Sequence, residues 1–308
     1  MELKRERLAA VFRAVVFELE ESGAARAESN PNLLGEVKVR VHLRALRVRK
    51  LGVLVQRLPG SLAEPLWEPV FKLRRADAGA LCRFHEEAAG GEAYCEKPAS
   101  GPGGYCREHA ASWKALYERC AQGDDEACAE AGGAAEGEFA VYALDYGGMR
   151  LKVGLTQLHR FLWRAAEQPH VSAATLASGG LLRMRELEKE LGRRLGATEG
   201  AGARLDDRLQ SSARALALSP LKAAKRLADV LAGIGLEGSF EALQVKPRLL
   251  NPREFLAEHC PLNSLAGRRL RLLDYWAGIL AFEDVDSGER LLLEKWQLLH
   301  RPVTVDLA

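Results

Sequence analysis

Hydrophobic residues recur with two different spacings along this chain, and each spacing predicts a different element. In residues 1–22, apolar side chains recur every three and four positions, as one face of an amphipathic helix requires. This face comprises Leu8, Val11, Phe12, Val15, Val16 and Leu19. In residues 37–44, by contrast, apolar and basic residues alternate, which predicts a half-buried β-strand.

The polar face of this predicted strand is basic. It carries Lys38, Arg40 and Arg44, and the basic character continues through Arg47 and Arg49. Two interpretations are open: a solvated strand face, or a stripe that contacts the phosphates of nucleic acid. The chain has 44 Lys and Arg against 42 Asp and Glu, a formal net charge of +2. Nucleic-acid binding therefore cannot be argued from a global positive field, and only a local patch could provide it.

No apolar stretch approaches the roughly 20 residues that a membrane-spanning helix needs. The N-terminal residues are charged, unlike those of a signal peptide. We therefore expect a cytoplasmic protein with no membrane partner. In that compartment, cysteines serve more often as metal ligands than as disulfides.

Five of the six cysteines lie between Cys82 and Cys128. The surrounding segment, 76–135, is poor in large aliphatic residues and needs another source of folding free energy, which a metal would supply. The pairs Cys82/His85 and Cys106/His109 each have the two-residue spacing of a tetrahedral zinc site. We expect one structural Zn²⁺, with buried free cysteines as the alternative.

The preferred ligand set is Cys82, Cys95, Cys106 and His109. Cys120 and Cys128 are further candidates, which could replace two of these ligands or form a redox pair. His85 is a weaker candidate for a metal ligand than His109, because Arg83 and two glutamates surround it. With so many thiolates on offer, the metal is expected to have no open coordination position.

The segment 136–200 follows with the predicted order strand, strand, helix, strand, helix. Residues 139–144 and 149–154 form the predicted hairpin around a Gly-Gly turn, and Tyr142 lies on its first strand. The second strand ends in Lys152-Val153-Gly154. Arg160 and Arg164 follow on the first helix, where the spacing of Trp163 favours a core position, and Glu188 lies on the second helix.

This order resembles the GIY-YIG nuclease superfamily, in which two signature tripeptides lie on a β-hairpin. Ala140-Val141-Tyr142 stands at the first tripeptide and Lys152-Val153-Gly154 at the second. The chain is more closely similar to an uncharacterised prokaryotic domain family in which a Cys/His cluster precedes a diverged core of this kind. The similarity covers about 60 residues of the core and about 50 of the cysteine-rich segment.

The resemblance implies a role for each matching residue. Tyr142 would be the general base, Arg160 or Arg164 the phosphate contact, and Glu188 the ligand of one Mg²⁺ or Mn²⁺. Ala140 and Lys152 depart from the superfamily pattern. The Lys152 ammonium would either lower the pKa of the Tyr142 phenol or bind phosphate, or the site has lost turnover and kept binding.

These observations predict an α+β fold: a GIY-YIG-like small mixed sheet with helices, a preceding Cys/His zinc-binding segment, and N- and C-terminal extensions. The predicted segments are 1–75, 76–135, 136–200 and 201–308, the last one helical and then a β-hairpin. The predicted function is that of a zinc-stabilised protein acting on DNA or RNA, with phosphodiesterase activity as one form. The alternatives are a non-catalytic nucleic-acid-binding protein and a scaffold with a structural zinc.

Overall fold

The computed structural model describes residues 6–29, 38–134, 137–147, 151–194, 212–213 and 218–307. The fold is α+β, as predicted, with mostly antiparallel strands. The strands are β1 (Glu6–Ser29), β2 (Val39–Arg57), β3 (Ala63–Trp67), β4 (Val70–Ala76), β5 (His85–Ala88), β6 (Gly91–Tyr94), β7 (Phe139–Asp145), β8 (Leu151–Gln157), β9 (Ser172–Gly179), β10 (Gly238–Lys246), β11 (Arg269–Trp276), β12 (Ile279–Asp284), β13 (Arg290–Glu294) and β14 (Pro302–Leu307). The α-helices of the described residues are α1 (Trp113–Ala121), α2 (Asp125–Ala134), α3 (Phe161–Ala166), α4 (Leu181–Arg194), α5 (Pro220–Gly233) and α6 (Lys295–Leu298).

The chain divides into two compact units that do not follow the four segments predicted from the sequence. The first unit comprises residues 1–18, 49–122 and 257–308, and the second comprises 19–48 and 123–256. Strands β1 and β2 contribute residues to both units. The segments differ from the units because distant parts of the chain pair as strands, which local patterns do not reveal.

In the first unit the strand order is β13-β12-β11-β4-β14-β1, with antiparallel neighbours. β14 pairs with the start of β1 in the register Glu6↔Leu307 to Val11↔Pro302. The predicted C-terminal hairpin is confirmed by the pairing of β12 with β13. Gly288 lies in its turn with a φ of 74°, a conformation that glycine adopts without a steric penalty.

The predicted N-terminal helix is wrong, because residues 6–29 form a β-strand. Ala10, Val11, Phe12 and Arg13 are all buried, so this stretch has no solvated helix face. Valine and phenylalanine between Val11 and Phe17 are compatible with a strand, and pairing with β14 overrides the helical spacing.

In the second unit the strand order is β2-β10-β9-β7-β8, with β2 and β10 parallel and the other neighbours antiparallel. The predicted order of strand, strand, helix, strand and helix is confirmed by β7, β8, α3, β9 and α4. The apolar face of α5 packs on β2 and β10, where Leu227 and Leu231 meet Val41 and Phe240. Ser219 caps α5 by accepting a hydrogen bond from the Lys222 N–H.

The predicted alternation of β2 is also confirmed. Val39, Val41 and Leu43 are buried, whereas Arg40 and Arg44 are exposed. The predicted helical start of the segment 201–308 is met at α5, while 195–211 and 214–217 lie outside the described residues.

Among the described helices, none is both long and apolar enough to cross a membrane.

Candidate metal centre

Two short turns bring the cysteine and histidine donors together. The hairpin of β5 and β6 lies between Cys82 and Cys95, and backbone hydrogen bonds from Cys82 N to Lys97 O and from Cys95 N to Phe84 O close its base. The second turn carries Cys106 and His109, and the His109 N–H donates to the Cys106 carbonyl. This local backbone geometry presents two donors from each turn.

Gly104 lies where the second turn approaches the first. Its φ is 83°, and a Cβ at this position would lie 2.7 Å from the Cδ of Arg83. The Gly104 carbonyl accepts a hydrogen bond from the Arg83 N–H, which ties the two turns together. The positive φ favours glycine here, and a side chain at Gly104 would also have to displace the Arg83 side chain.

The ligand atoms of Cys82, Cys95, Cys106 and His109 all lie within 4.8 Å of one another. The Cys106 Sγ is 3.3 Å and the Cys82 Sγ is 3.6 Å from the His109 Nδ1, and the sulfurs of Cys95 and Cys106 are 4.0 Å apart. In a tetrahedral zinc site, the usual metal–ligand bond lengths place neighbouring ligand atoms about 3.5 to 3.8 Å apart. The predicted convergence of these four residues is confirmed.

The donor set fits Zn²⁺ in a structural role. Three thiols and one imidazole supply four protein ligands, the number that a closed tetrahedral zinc site uses. Cys82 and Cys106 are buried, and Cys95 and His109 are half-buried. A metal bound there would cross-link the two turns, and it would have no open coordination position.

Apolar packing surrounds the donors. The Phe84 ring stacks on the His109 imidazole with centroids 3.9 Å apart and an interplanar angle of 9°. Tyr105 and Ala115 pack with Cys82 and Cys106 in one buried cluster. This packing holds the imidazole plane and limits the access of water to the sulfurs.

Arg13 of β1 connects this centre to the sheet, and no sequence motif marks it. Its guanidinium donates from Nη1 to the Cys82 carbonyl at 3.1 Å and from Nη2 to the Cys95 carbonyl at 3.0 Å. It also donates from Nε and Nη2 to Gln56 Oε1. Burial lowers the pKa of Arg13 to about 10, which leaves the group cationic at neutral pH. Arg13 thus fixes the backbone of two ligand residues, one from each end of the hairpin.

Two thiols of the centre differ in acidity. Burial raises the pKa of Cys95 to about 11. Burial also acts to raise the pKa of Cys106, but hydrogen bonds from the His109 N–H and with the Cys82 thiol outweigh it and lower that pKa. Cys106 is therefore the thiol of this pair that ionises more readily, and thiolates are the form that binds zinc.

Cys120 and Cys128 lie outside this ligand group, which corrects their inclusion among the metal ligands. Both are disulfide-bonded, and a disulfide sulfur has no thiolate to offer. His85 is also outside the group. Its ring lies 4.7 Å from the Tyr94 ring, and its Nε2 is 3.9 Å from a carboxylate oxygen of Glu92.

The structure brings Tyr142 and Lys152 of the GIY-YIG-like core together through a third residue. Gln168 donates from Nε2 to the Tyr142 hydroxyl at 3.1 Å, and Lys152 Nζ donates to Gln168 Oε1 at 2.6 Å. No sequence motif marks Gln168. Tyr142 is only 1% exposed and packs against Phe161, Leu144 and Ala173. Its ring is a core element whose hydroxyl already has a protein partner.

Position 154 has to be glycine because the Tyr142 ring lies directly against it. A Cβ at Gly154 would lie 2.6 Å from both the Cζ and the hydroxyl oxygen of Tyr142. The two residues are direct neighbours in the antiparallel pairing of β7 and β8. The glycine of the second tripeptide therefore has a packing reason, independent of any reaction.

The remaining predicted catalytic residues occupy different surroundings. Arg160 and Arg164 are exposed, and Arg164 forms an ion pair with Glu167. Glu188 is buried on α4, where it accepts a hydrogen bond from the Arg185 guanidinium. Trp163 is 41% exposed, so the predicted core position for this residue is wrong.

The basic face of β2 is paired with acidic residues. Arg40 bonds to Glu28 at 2.8 Å, and Arg44 lies 3.8 Å from a carboxylate oxygen of Glu21. Lys38 Nζ donates to Glu237 at 2.7 Å. These carboxylates neutralise most of the local charge that a phosphate-contacting stripe would need.

Comparison of the chain with protein families, with curated proteins and with solved structures gives no match.

Proposed function

We propose that this chain is a zinc-stabilised binding protein in which Cys82, Cys95, Cys106 and His109 hold one structural Zn²⁺. The observation that carries the proposal is the convergence of three sulfurs and one imidazole nitrogen within 4.8 Å. A closed set of four protein ligands leaves no position for a substrate or a reacting water. The metal would therefore stabilise the fold rather than perform a reaction.

Metal analysis tests this proposal directly. The protein purified without chelator should contain about one zinc per chain, and Cys106→Ser should lose most of it. Cys260→Ser is the matched control, because Cys260 is also a free cysteine but lies outside the ligand group. Absence of zinc from the wild-type protein, or equal loss in both variants, would overturn the proposal.

Nucleic-acid binding is a second candidate function, favoured by the exposed side of α3. Trp163 and Arg164 of α3 are exposed, as is Arg160, which lies three residues before Trp163 in the turn that precedes the helix. An exposed aromatic ring between cations is suited to stack on a base while the cations contact phosphates. We propose this surface as the contact with DNA or RNA. Arg164 is ion-paired with Glu167, as the β2 arginines are with their carboxylates, but only here does an exposed tryptophan lie beside the cations.

Binding without hydrolysis fits the core better than a phosphodiesterase does. A general base must reach the attacking water, whereas Tyr142 is buried and hydrogen-bonded by Gln168. A Mg²⁺ or Mn²⁺ ion at Glu188 would have to displace the Arg185 guanidinium from that carboxylate. The Tyr142 hydroxyl and the Glu188 carboxylate are therefore both engaged in hydrogen bonds within the fold.

Filter binding of labelled oligonucleotides tests nucleic-acid binding, the second candidate function. We expect single-stranded DNA or RNA to bind without cleavage in Mn²⁺, with affinity that falls as salt rises. Trp163→Ala together with Arg160→Gln should weaken binding at least 10-fold. Arg183→Gln, which removes a charge from the exposed side of α4, should not.

Two outcomes would contradict this assignment. If no oligonucleotide binds with an affinity that falls as salt rises, nucleic acid is excluded as the partner. Cleavage that requires Mn²⁺ and disappears in Tyr142→Phe would establish the phosphodiesterase alternative instead.

A further inference from the structure

A cleft in the second unit is lined by an unusual concentration of positive charge. It has a volume of about 470 Å³, and its lining includes Arg47, Lys246, Arg248 and Arg253. Asn251 adds a neutral polar group. Among the described lining residues there is no carboxylate, in contrast to the basic face of β2.

The sheet itself places two of these cations side by side. Lys246 at the end of β10 is in register with Arg47 on the parallel neighbour β2. Like charges on paired strands repel each other, so this arrangement destabilises the free protein. Burial, and then the nearby Arg47 charge, lower the pKa of Lys246.

Three of the cations have no ion pair in the described chain. Arg47, Lys246 and Arg253 each lack a carboxylate within 4.0 Å, whereas Arg40 and Arg44 on the same strand as Arg47 are both paired. A protein that neutralises its neighbouring arginines but leaves this group unneutralised retains the charge for an external anion.

A buried amide lies on the face of β10 that also carries Lys246 of the cleft. Gln244 is two residues before Lys246, so both side chains project from one side of the strand. Gln244 is completely buried, and among the residues that the structure describes neither its Oε1 nor its Nε2 has a hydrogen-bond partner. Buried amides are normally hydrogen-bonded, and a missing partner points to an absent ligand or water.

We infer that this cleft binds a phosphate group, carried either by a small phosphorylated molecule or by a nucleic-acid backbone. Guanidinium groups bind phosphate oxygens with two parallel hydrogen bonds, and the lysine adds a point charge. A volume of this size, which lies in the range of small-molecule sites, accommodates the phosphate together with the group that carries it. The inference depends neither on the zinc nor on the α3 surface.

Calorimetric titration at fixed ionic strength tests the site with three probes: inorganic phosphate, adenosine monophosphate, and a single-stranded oligonucleotide. Each should be compared with the same addition of chloride. Arg47→Gln combined with Lys246→Gln should weaken binding at least 10-fold. Arg183→Gln, a charge removal of the same kind outside the cleft, should leave binding unchanged.

A second measurement separates ligand binding from a structural role. Because Arg47 and Lys246 repel each other, Lys246→Gln should raise the melting temperature of the ligand-free protein while it weakens binding of the probe. A residue that only supports the fold would give a lower melting temperature instead.

The outcomes distinguish the source of the phosphate. Binding of inorganic phosphate or adenosine monophosphate supports a small phosphorylated ligand, and binding of the oligonucleotide alone supports a nucleic-acid backbone. Loss of oligonucleotide binding in the cleft variants but not in Trp163→Ala would retain this site and reject the α3 surface. The inference is overturned if no probe binds, or if the cleft variants bind every probe as tightly as Arg183→Gln does.

Discussion

The Cys/His centre and the β7–β9 core were both predicted from short sequence motifs, but their side chains have different surroundings. At the centre, three sulfurs and a nitrogen converge within 4.8 Å of one another. In the core, Tyr142 faces Phe161 and Ala173, and its hydroxyl is bound by Gln168. A structural metal site needs only the convergence of its own donors. A hydrolytic site needs convergence and, in addition, open space for the substrate, which the packing around Tyr142 occupies.

Removal of the metal should produce the largest difference between the two regions, measured as loss of protection from hydrogen exchange. A structural zinc contributes on the order of 10 kcal/mol of folding free energy to the segment that binds it. After treatment with a strong chelator, amides of residues 77–112 should lose protection from hydrogen exchange, while those of β7 remain protected. Mass-spectrometric hydrogen exchange makes this comparison, and equal loss in both regions would contradict it.

Replacement of Arg13 should have the next largest effect. Arg13→Met leaves the Gln56 side chain and two ligand carbonyls without their donor, and each buried acceptor left unsatisfied costs about 1 to 3 kcal/mol. The free energy of unfolding from urea titration measures this cost. Arg7→Met on the same strand is the control, because Arg7 is largely exposed and its ion pair with Asp306 should contribute less than about 1 kcal/mol. Similar values for the two variants would show that Arg13 does not support the centre.

In the core, the expected effect comes from the contact between Gly154 and Tyr142. Gly154→Ala places a methyl group against the ring and should destabilise the protein by about 2 to 3 kcal/mol. In a Tyr142→Leu background the same change should cost less than about 1 kcal/mol, since the ring that it meets is gone. Gly133→Ala is the control, because a Cβ there would have nothing within 4 Å. Equal costs of Gly154→Ala in both backgrounds would argue against a packing role for this glycine.

His300 in the first unit gives a smaller effect that depends on pH. Burial, assisted by the positive charges of Arg83 and Arg13, lowers the pKa of His300 to about 3. Below pH 6.5 the unfolded chain therefore binds a proton that the folded chain does not, and stability falls as the pH decreases. Between pH 7 and pH 5 the wild-type protein should lose about 1 to 2 kcal/mol more than His300→Asn does.

Asparagine is chosen for this comparison because it tolerates the positive φ of 64° at His300. Acid also releases zinc, but this affects both proteins, so the difference between their unfolding free energies isolates the histidine. Parallel pH profiles would exclude His300 as the source.

The smallest effect is expected on the basic face of β2. Arg40→Gln breaks an exposed ion pair with Glu28 and should change the unfolding free energy by less than about 0.5 kcal/mol. Retention of oligonucleotides should also stay within 2-fold of wild type, which filter binding can measure. A loss as large as that of the α3 variants would restore this strand as a nucleic-acid surface.

The sequence by itself determined the ligand types, their spacing and the order of elements from β7 to α4. Cysteines and histidines clustered in a segment too poor in aliphatic residues to fold on its own indicate a metal, whatever the rest of the chain does. The alternation of Val39, Arg40 and Val41 similarly specifies a strand with one buried face.

Only the tertiary structure decided which surfaces were available. The start of β1 has an apolar spacing that also suits a helix, and pairing with β14 made it a strand. The same pairing carried Arg13 beneath the metal ligands, although 69 residues separate it from Cys82. Burial of Tyr142 and exposure of Trp163 likewise depend on which elements cover them. Local patterns specify what a side chain can do, but contacts between distant segments decide whether it has the space and the partners to do it.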